Sequence, residues 1–80
     1  MTTNNEIRID ARGMRCPRPI VELAKARRQA RPGSVIVITA DDLAFESDVK
    51  AWCETTCNEL KNLEKNGAVV IATIELMAGF

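Results

Sequence analysis

The chain has 80 residues, enough for one domain of thin core, since a chain of this size buries only a little over ~60% of its unfolded surface. Its 11 Lys and Arg balance 11 Asp and Glu, so net charge makes no case for direct nucleic-acid binding. Its longest apolar runs, Val35–Ile38 and Ala68–Ile74, fall far below the ~18 residues of a membrane span, and three cysteines cannot all close into disulfides.

Residues 1–5 have neither the basic start nor the apolar stretch of a signal peptide and read as a short disordered lead. A cytoplasmic location is therefore expected. Residues 6–80 read as a single domain without repeat or linker. Glu6–Ala11 alternates apolar and polar residues (Ile7, Ile9, Ala11), as in a half-buried strand. Gly13 turns the chain. Pro17–Ala30 reads as a helix with Pro17 at its first position, where a missing N–H is harmless. Ile20, Leu23, Ala26 and Ala30 form its apolar stripe, and Arg27 falls inside that arc, its stem over the core edge. Pro32-Gly33 ends the helix, and Ser34–Ala40, rich in β-branched residues, reads as a central strand. Two strands joined by such a helix imply a parallel, right-handed βαβ unit.

Asp41-Asp42 closes that strand, as a charged cap or, alternatively, a cation site. Ser47 or Asp48 is expected to cap a second helix with Val49, Trp52, Cys53 and Thr56 on one face. Beyond Asn58 two readings compete. Leu60 and Leu63 continue the helical stripe, or Leu60–Lys65 forms a short strand. Asn66-Gly67 reads as a two-residue hairpin turn and Ala68–Met77 as a strand, which needs a partner just before the turn and so favours the hairpin.

The chemistry centres on Cys16. At the N-cap of the first helix its thiolate would meet unpaired N–H groups and the positive dipole end, with Arg12, Arg15 and Arg18 nearby. Such surroundings lower a cysteine pKa, and Pro17 and Pro19 stiffen the loop, so the expected species is an exposed, ionised, aimed nucleophile. The sequence has no histidine and no tyrosine, which excludes a Cys–His dyad, and Pro19 stands where a C-x-x-C motif needs its second thiol. A lone thiolate can still attack a sulfur atom and later surrender one.

The run I-D-A-R-G-M-R-C-P-R-P-I-V, Ile9 to Val21, resembles the signature of the TusA/SirA family of sulfur-carrier proteins. Pro32-Gly33, Ala40–Asp42, Asp48, Trp52-Cys53 and Glu59-Leu60 follow in that family's order. The resemblance implies an α+β two-layer sandwich of order βαβαββ, a four-stranded mixed sheet with two helices on one face. It implies a sulfurtransferase-type carrier that takes sulfane sulfur as a persulfide on Cys16 and passes it to a partner protein. The supporting loop residues are Asp10, Arg12, Gly13, Arg15, Pro17, Arg18 and Pro19, with Asp10 and Arg12 shaping the loop as a pair. The implied donor is a cysteine desulfurase or a rhodanese, and the acceptor a cysteine protein such as a DsrE-like one. No cofactor and no metal is expected, the sulfur being the cargo. Cys57-Asn58, Leu43 and Arg27 depart from tRNA-thiolation members, which points to sulfur oxidation or trafficking over a tRNA 2-thiouridine relay. The rival class is a thiol-based redox-sensing or regulatory binding module, and a structural rival makes Cys16 inert. Cys53 is expected to pack in the core, Cys57 to be a bystander or a secondary sulfur-accepting thiol, and the run Lys25, Arg27, Arg28, Arg31 to be a solvated face or a docking patch for an acidic partner.

Overall fold

The computed structural model describes residues 6–77, so the expected lead at 1–5 lies outside them. Six elements follow in chain order: β1 (Glu6–Ala11), α1 (Arg18–Gln29), β2 (Val35–Ala40), α2 (Phe45–Thr56), β3 (Glu59–Asn66) and β4 (Val69–Glu75). They build one four-stranded mixed sheet in the order β1-β2-β4-β3. β1 and β2 run parallel, as the helical crossover between them requires, and the β2–β4 and β3–β4 pairs are antiparallel. The βαβαββ order and the mixed sheet are those expected.

Register shows which side chains share a face. Ile7, Ile9 and Ala11 pair with Ile36, Ile38 and Ala40, which pair in turn with Ile74, Ala72 and Val70. Ala11, Ile36, Ile38, Ala40, Ala72 and Ile74 are completely shielded from water, and they pack with Leu23 of α1 and with Phe45, Val49 and Cys53 of α2. This is the core. Each large side chain so buried contributes about 1.5–3 kcal/mol. The opposite sheet face, with Glu6, Arg8, Val37 and Thr39, carries neither helix.

Past Asn58 the chain forms the hairpin, for a reason its spacing conceals. Leu60 and Leu63 are three apart, a helical interval that would put them on opposite faces of a regular strand. The register shifts between Leu60 and Asn62, so Leu60 still pairs with Ile74 and Leu63 with Ala72, both core-facing. One bulged residue, Lys61, restores the face. The turn lies one residue later than expected: Asn66 pairs with Val69, leaving Gly67-Ala68 as the loop. Gly67 takes φ +66, the conformation that two-residue hairpins ask of their first loop residue.

α2 also begins earlier than expected, at Phe45 and not at Ser47 or Asp48. The Asp42 carboxylate accepts the Ala44 N–H at 3.1 Å and the Asp42 carbonyl accepts that of Phe45 at 3.0 Å, so Asp42 satisfies two donors at the helix start. The apolar interval Phe45, Val49, Cys53 therefore extends one turn further back than the reading from Val49 onward.

Candidate functional site: the Cys16 pole

The parallel strands β1 and β2 end side by side, Ala11 against Ala40. The loop 12–17 and the loop 41–44 therefore leave the sheet at one pole, where the carboxyl ends of parallel strands commonly form sites. A hydrogen bond from Gly13 N–H to Asp41 Oδ1, 2.9 Å, clamps one loop to the other.

The first loop is shaped by its own residues. Arg12 makes a forked contact with Asp10, Nε to Oδ1 and Nη2 to Oδ2, each 2.9 Å. Its backbone N–H adds a third bond to Oδ1 at 3.2 Å. These donors hold the Asp10 carboxyl down at about 2. Gly13 follows with φ +85, and Met14 N–H closes the turn on the Ala11 carbonyl at 3.1 Å. Only glycine adopts that φ without strain, which accounts for Gly13 independently of any chemistry.

Cys16 is exposed. The helix begins one residue later than expected: Pro17 is the N-cap and Arg18 the first helical residue, so Cys16 precedes the cap and does not occupy it. Its peptide bond to Pro17 is cis, and Arg18 N–H bonds the Arg15 carbonyl at 2.8 Å across the pair. Pro19 is fully buried and anchors the first turn, whereas Arg15, Pro17 and Arg18 are exposed.

The thiol's protonation runs opposite to the expectation. Its pKa is raised, first by a hydrogen bond to the Asp48 carboxylate, then by desolvation and by the negative charges of Asp48 and Asp42. The three arginines are neighbours in sequence, but Arg12 is engaged by Asp10 and the groups that move the thiol come from the other loop and α2. Asp48 is thus the acid whose influence on the thiol the sequence did not reveal. A sign of it was present: once α2 starts at Phe45, Asp48 falls in the first turn at the Cys16 pole.

Beside the thiol loop lies an open cleft of about 410 Å³ lined by Gly13, Met14, Arg15, Asp41, Asp42 and Leu43. Leu43 is 99% exposed, so packing does not explain a leucine there. The other two cysteines lie elsewhere. Cys53 is buried in the core, which pushes its thiol up. Cys57 lies past the last helical residue of α2, exposed, at φ 60, with its N–H on the Glu54 carbonyl and that of Asn58 on the Cys53 carbonyl. That arrangement is a helix-ending motif that usually employs glycine. Among the described residues no three His, Cys, Asp or Glu side chains gather as a metal site. The basic run on α1 is divided, Lys25 pairing with Glu22 at 3.7 Å while Arg27 is half-buried and Arg28 and Arg31 are exposed. No helix among the described residues is long and apolar enough to cross a membrane.

Comparison with known proteins places this geometry. The family profile described as Sulfurtransferase TusA matches residues 7–76, which include both loops of the pole. The chain is similar to a Bacillus subtilis protein named "Putative sulfur carrier protein YrkF", with 34% identity over 62 residues, 78% of this chain. It spans about a third of that relative's length, 34%. The crystal structure of a SirA-like protein from Desulfitobacterium hafniense superposes with a TM-score of 0.74 at 29% identity, covering 85% of this chain and 93% of that one.

Proposed function

Since the chain belongs to the TusA family, we propose that it is a sulfur carrier that holds sulfane sulfur as a persulfide on Cys16. One observation carries the reading: within the matched region, an exposed thiol stands on a loop tied to its own strand and to the neighbouring loop. In the first step Cys16 Sγ bonds to the outer sulfur of a donor's persulfide, the donor's S–S bond breaks, and the donor leaves as a thiol. In the second, an acceptor thiolate attacks the outer sulfur on Cys16 and restores the free cysteine. Each step exchanges one S–S bond for another and one S–H for another, with no net oxidation.

The donor is a cysteine desulfurase or a rhodanese, and the acceptor is a cysteine protein of the relay, such as a DsrE-like one. Asp10, Arg12 and Gly13 hold the loop, Pro17 and Pro19 stiffen it, and Arg15 and Arg18 present cationic side chains beside the sulfur. The sulfur is cargo, and no resident cofactor or metal takes part. The setting is the cytoplasm, in sulfur oxidation or trafficking. Half of each reaction occurs on the partner, so the protein acts as a carrier more than as a turnover enzyme. A redox-sensing role would instead leave sulfenate or mixed-disulfide adducts on Cys16 and no transfer of sulfur.

Intact mass after incubation with a persulfide-loaded rhodanese or desulfurase tests the proposal. Wild type gains one sulfur atom, reversibly with reductant, and Cys16→Ser gains none. Absence of the gain with each donor overturns it.

A further inference from the structure

Resting on the carrier reading, we propose that Leu43 is a specificity-determining residue for loading: its side chain seats in an apolar pocket beside the persulfide of the donor protein and aligns that protein on the Cys16 pole.

The fold does not account for this side chain. Leu43 is 99% exposed, whereas Val21 at 44% and Met77 at 46%, the other exposed large apolar residues among those described, keep more than half of their surface covered. A lone exposed leucine is ordinary on a protein surface. The placement of this one is not. It is the second residue of a turn closed by the Phe45 N–H on the Asp42 carbonyl at 3.0 Å, with Ala44 following at φ −87 and ψ −5. Such a turn accepts most residues at that position and favours proline, so it does not call for leucine. The turn is also fixed at both ends. Phe45, fully buried, anchors it to the core, and Asp41 Oδ1 ties it to the thiol's own loop through the Gly13 N–H at 2.9 Å.

Leu43 from one loop and Met14 and Arg15 from the other line the open cleft of about 410 Å³. Arg15 immediately precedes Cys16, so a group that enters this cleft lies next to the thiol loop. On the carrier reading, chemistry decides what covers this surface. Cys16 Sγ bonds the donor's outer sulfur as the donor's S–S bond breaks, and the thiol proton leaves with the donor's thiolate. The donor protein must therefore lie across this pole. Taking a leucine side chain out of water as it does so is favourable, and a leucine already fixed relative to the thiol loop adds little ordering cost. The Cys16 thiol is free, which is the state that a donor meets and an acceptor does not.

The test follows Cys16 persulfidation by intact mass as the concentration of loaded donor is varied, the donor being the rhodanese or desulfurase that charges wild type. Leu43→Ser should raise the half-saturating donor concentration about tenfold and leave the limiting rate within about twofold of wild type. Leu43→Met, close in volume and polarity, should stay near wild type. Glutathione persulfide, which needs no docking surface, should charge both variants as fast as wild type. The pH midpoint of Cys16 alkylation by iodoacetamide should not move, and far-UV circular dichroism establishes that each variant is folded. A wild-type half-saturating concentration in Leu43→Ser, or an equal loss with glutathione persulfide, would overturn the proposal. So would normal charging with a defect only in discharge to an acceptor protein, which would assign Leu43 to the other partner. Each of these leaves wild-type loading intact and removes Leu43 alone; a wild type that no protein donor charges removes the carrier reading and this proposal with it.

Discussion

The two loops at the Cys16 pole leave adjacent strand ends and lead into the two helices, yet they do opposite work. The loop 12–17 is held from outside the core: a forked ion pair, a glycine turn and one buried residue, Pro19, at its far end. The loop 41–44 is short and leads directly into Phe45, a fully buried ring, through the two hydrogen bonds of Asp42. One loop presents the thiol; the other supplies Asp42 and leads into α2, whose Asp48 is first among the groups that raise the thiol's pKa. The difference teaches that a side chain's electrostatic surroundings are set by what the fold brings near, while charges adjacent in sequence can be spent on each other or on solvent.

The widest test of that contrast is Phe45→Ala. Its cavity lies where α2 meets the sheet, so unfolding in urea should show a loss of about 3–5 kcal/mol, much of a small domain's stability. A loss below 1 kcal/mol would mean that α2 is not anchored by its first turn. Next comes Asp42→Ala, which leaves the Ala44 N–H without its acceptor and removes a charge near the thiol. The expected outcome is about 1 kcal/mol of destabilisation together with a lower midpoint for Cys16 alkylation. Stability and midpoint moving together would show that this loop carries structure and control in one residue. The smallest effect belongs to the first loop. Asp10 has a folded-state pKa of about 2, below its unfolded value, so its pairing with Arg12 is complete above pH about 4 and is lost as pH falls through about 2. NMR of the Arg12 guanidinium should titrate in that window. Because Asp10 is exposed, the fold should not depend on it; global unfolding with the same midpoint would contradict the division of labour.

Much of the fold was legible because the strong signals were local. The alternation in Glu6–Ala11 matches β1 at both ends, and the β-branched run ending at Ala40 is β2 less its first residue, Ser34. The hairpin was legible from the need of β4 for a partner, not from β3 itself, whose leucine spacing reads as helical until the bulge at Lys61 is known. The start of α2 was missed because its capping carboxylate sits two residues before Ala44, outside the usual N-cap position, so Phe45 went uncounted as core. At the pole, the contact between Asp10 and Arg12 was readable from a separation of two. The influence of Asp48 on the thiol was not, since 31 residues, with α1 and β2 among them, lie between it and Cys16. The inference of a lowered thiol pKa failed at that point: it summed the charges next to Cys16 in the chain, and the decisive charge arrives by folding.

Lys61 has a further consequence, for how copies of the molecule meet. With equal numbers of acidic and basic side chains, the chain lacks the net repulsion that keeps many small proteins apart in solution. β3 is an outer strand of the sheet, and such a strand offers free N–H and C=O groups to any extended segment that drifts by. The bulge interrupts that row, and Lys61 stands at the break between Glu59 and Glu75, at 3.8 and 3.6 Å. A residue whose first effect is to turn two leucines inward thereby spoils the edge as a template for another strand.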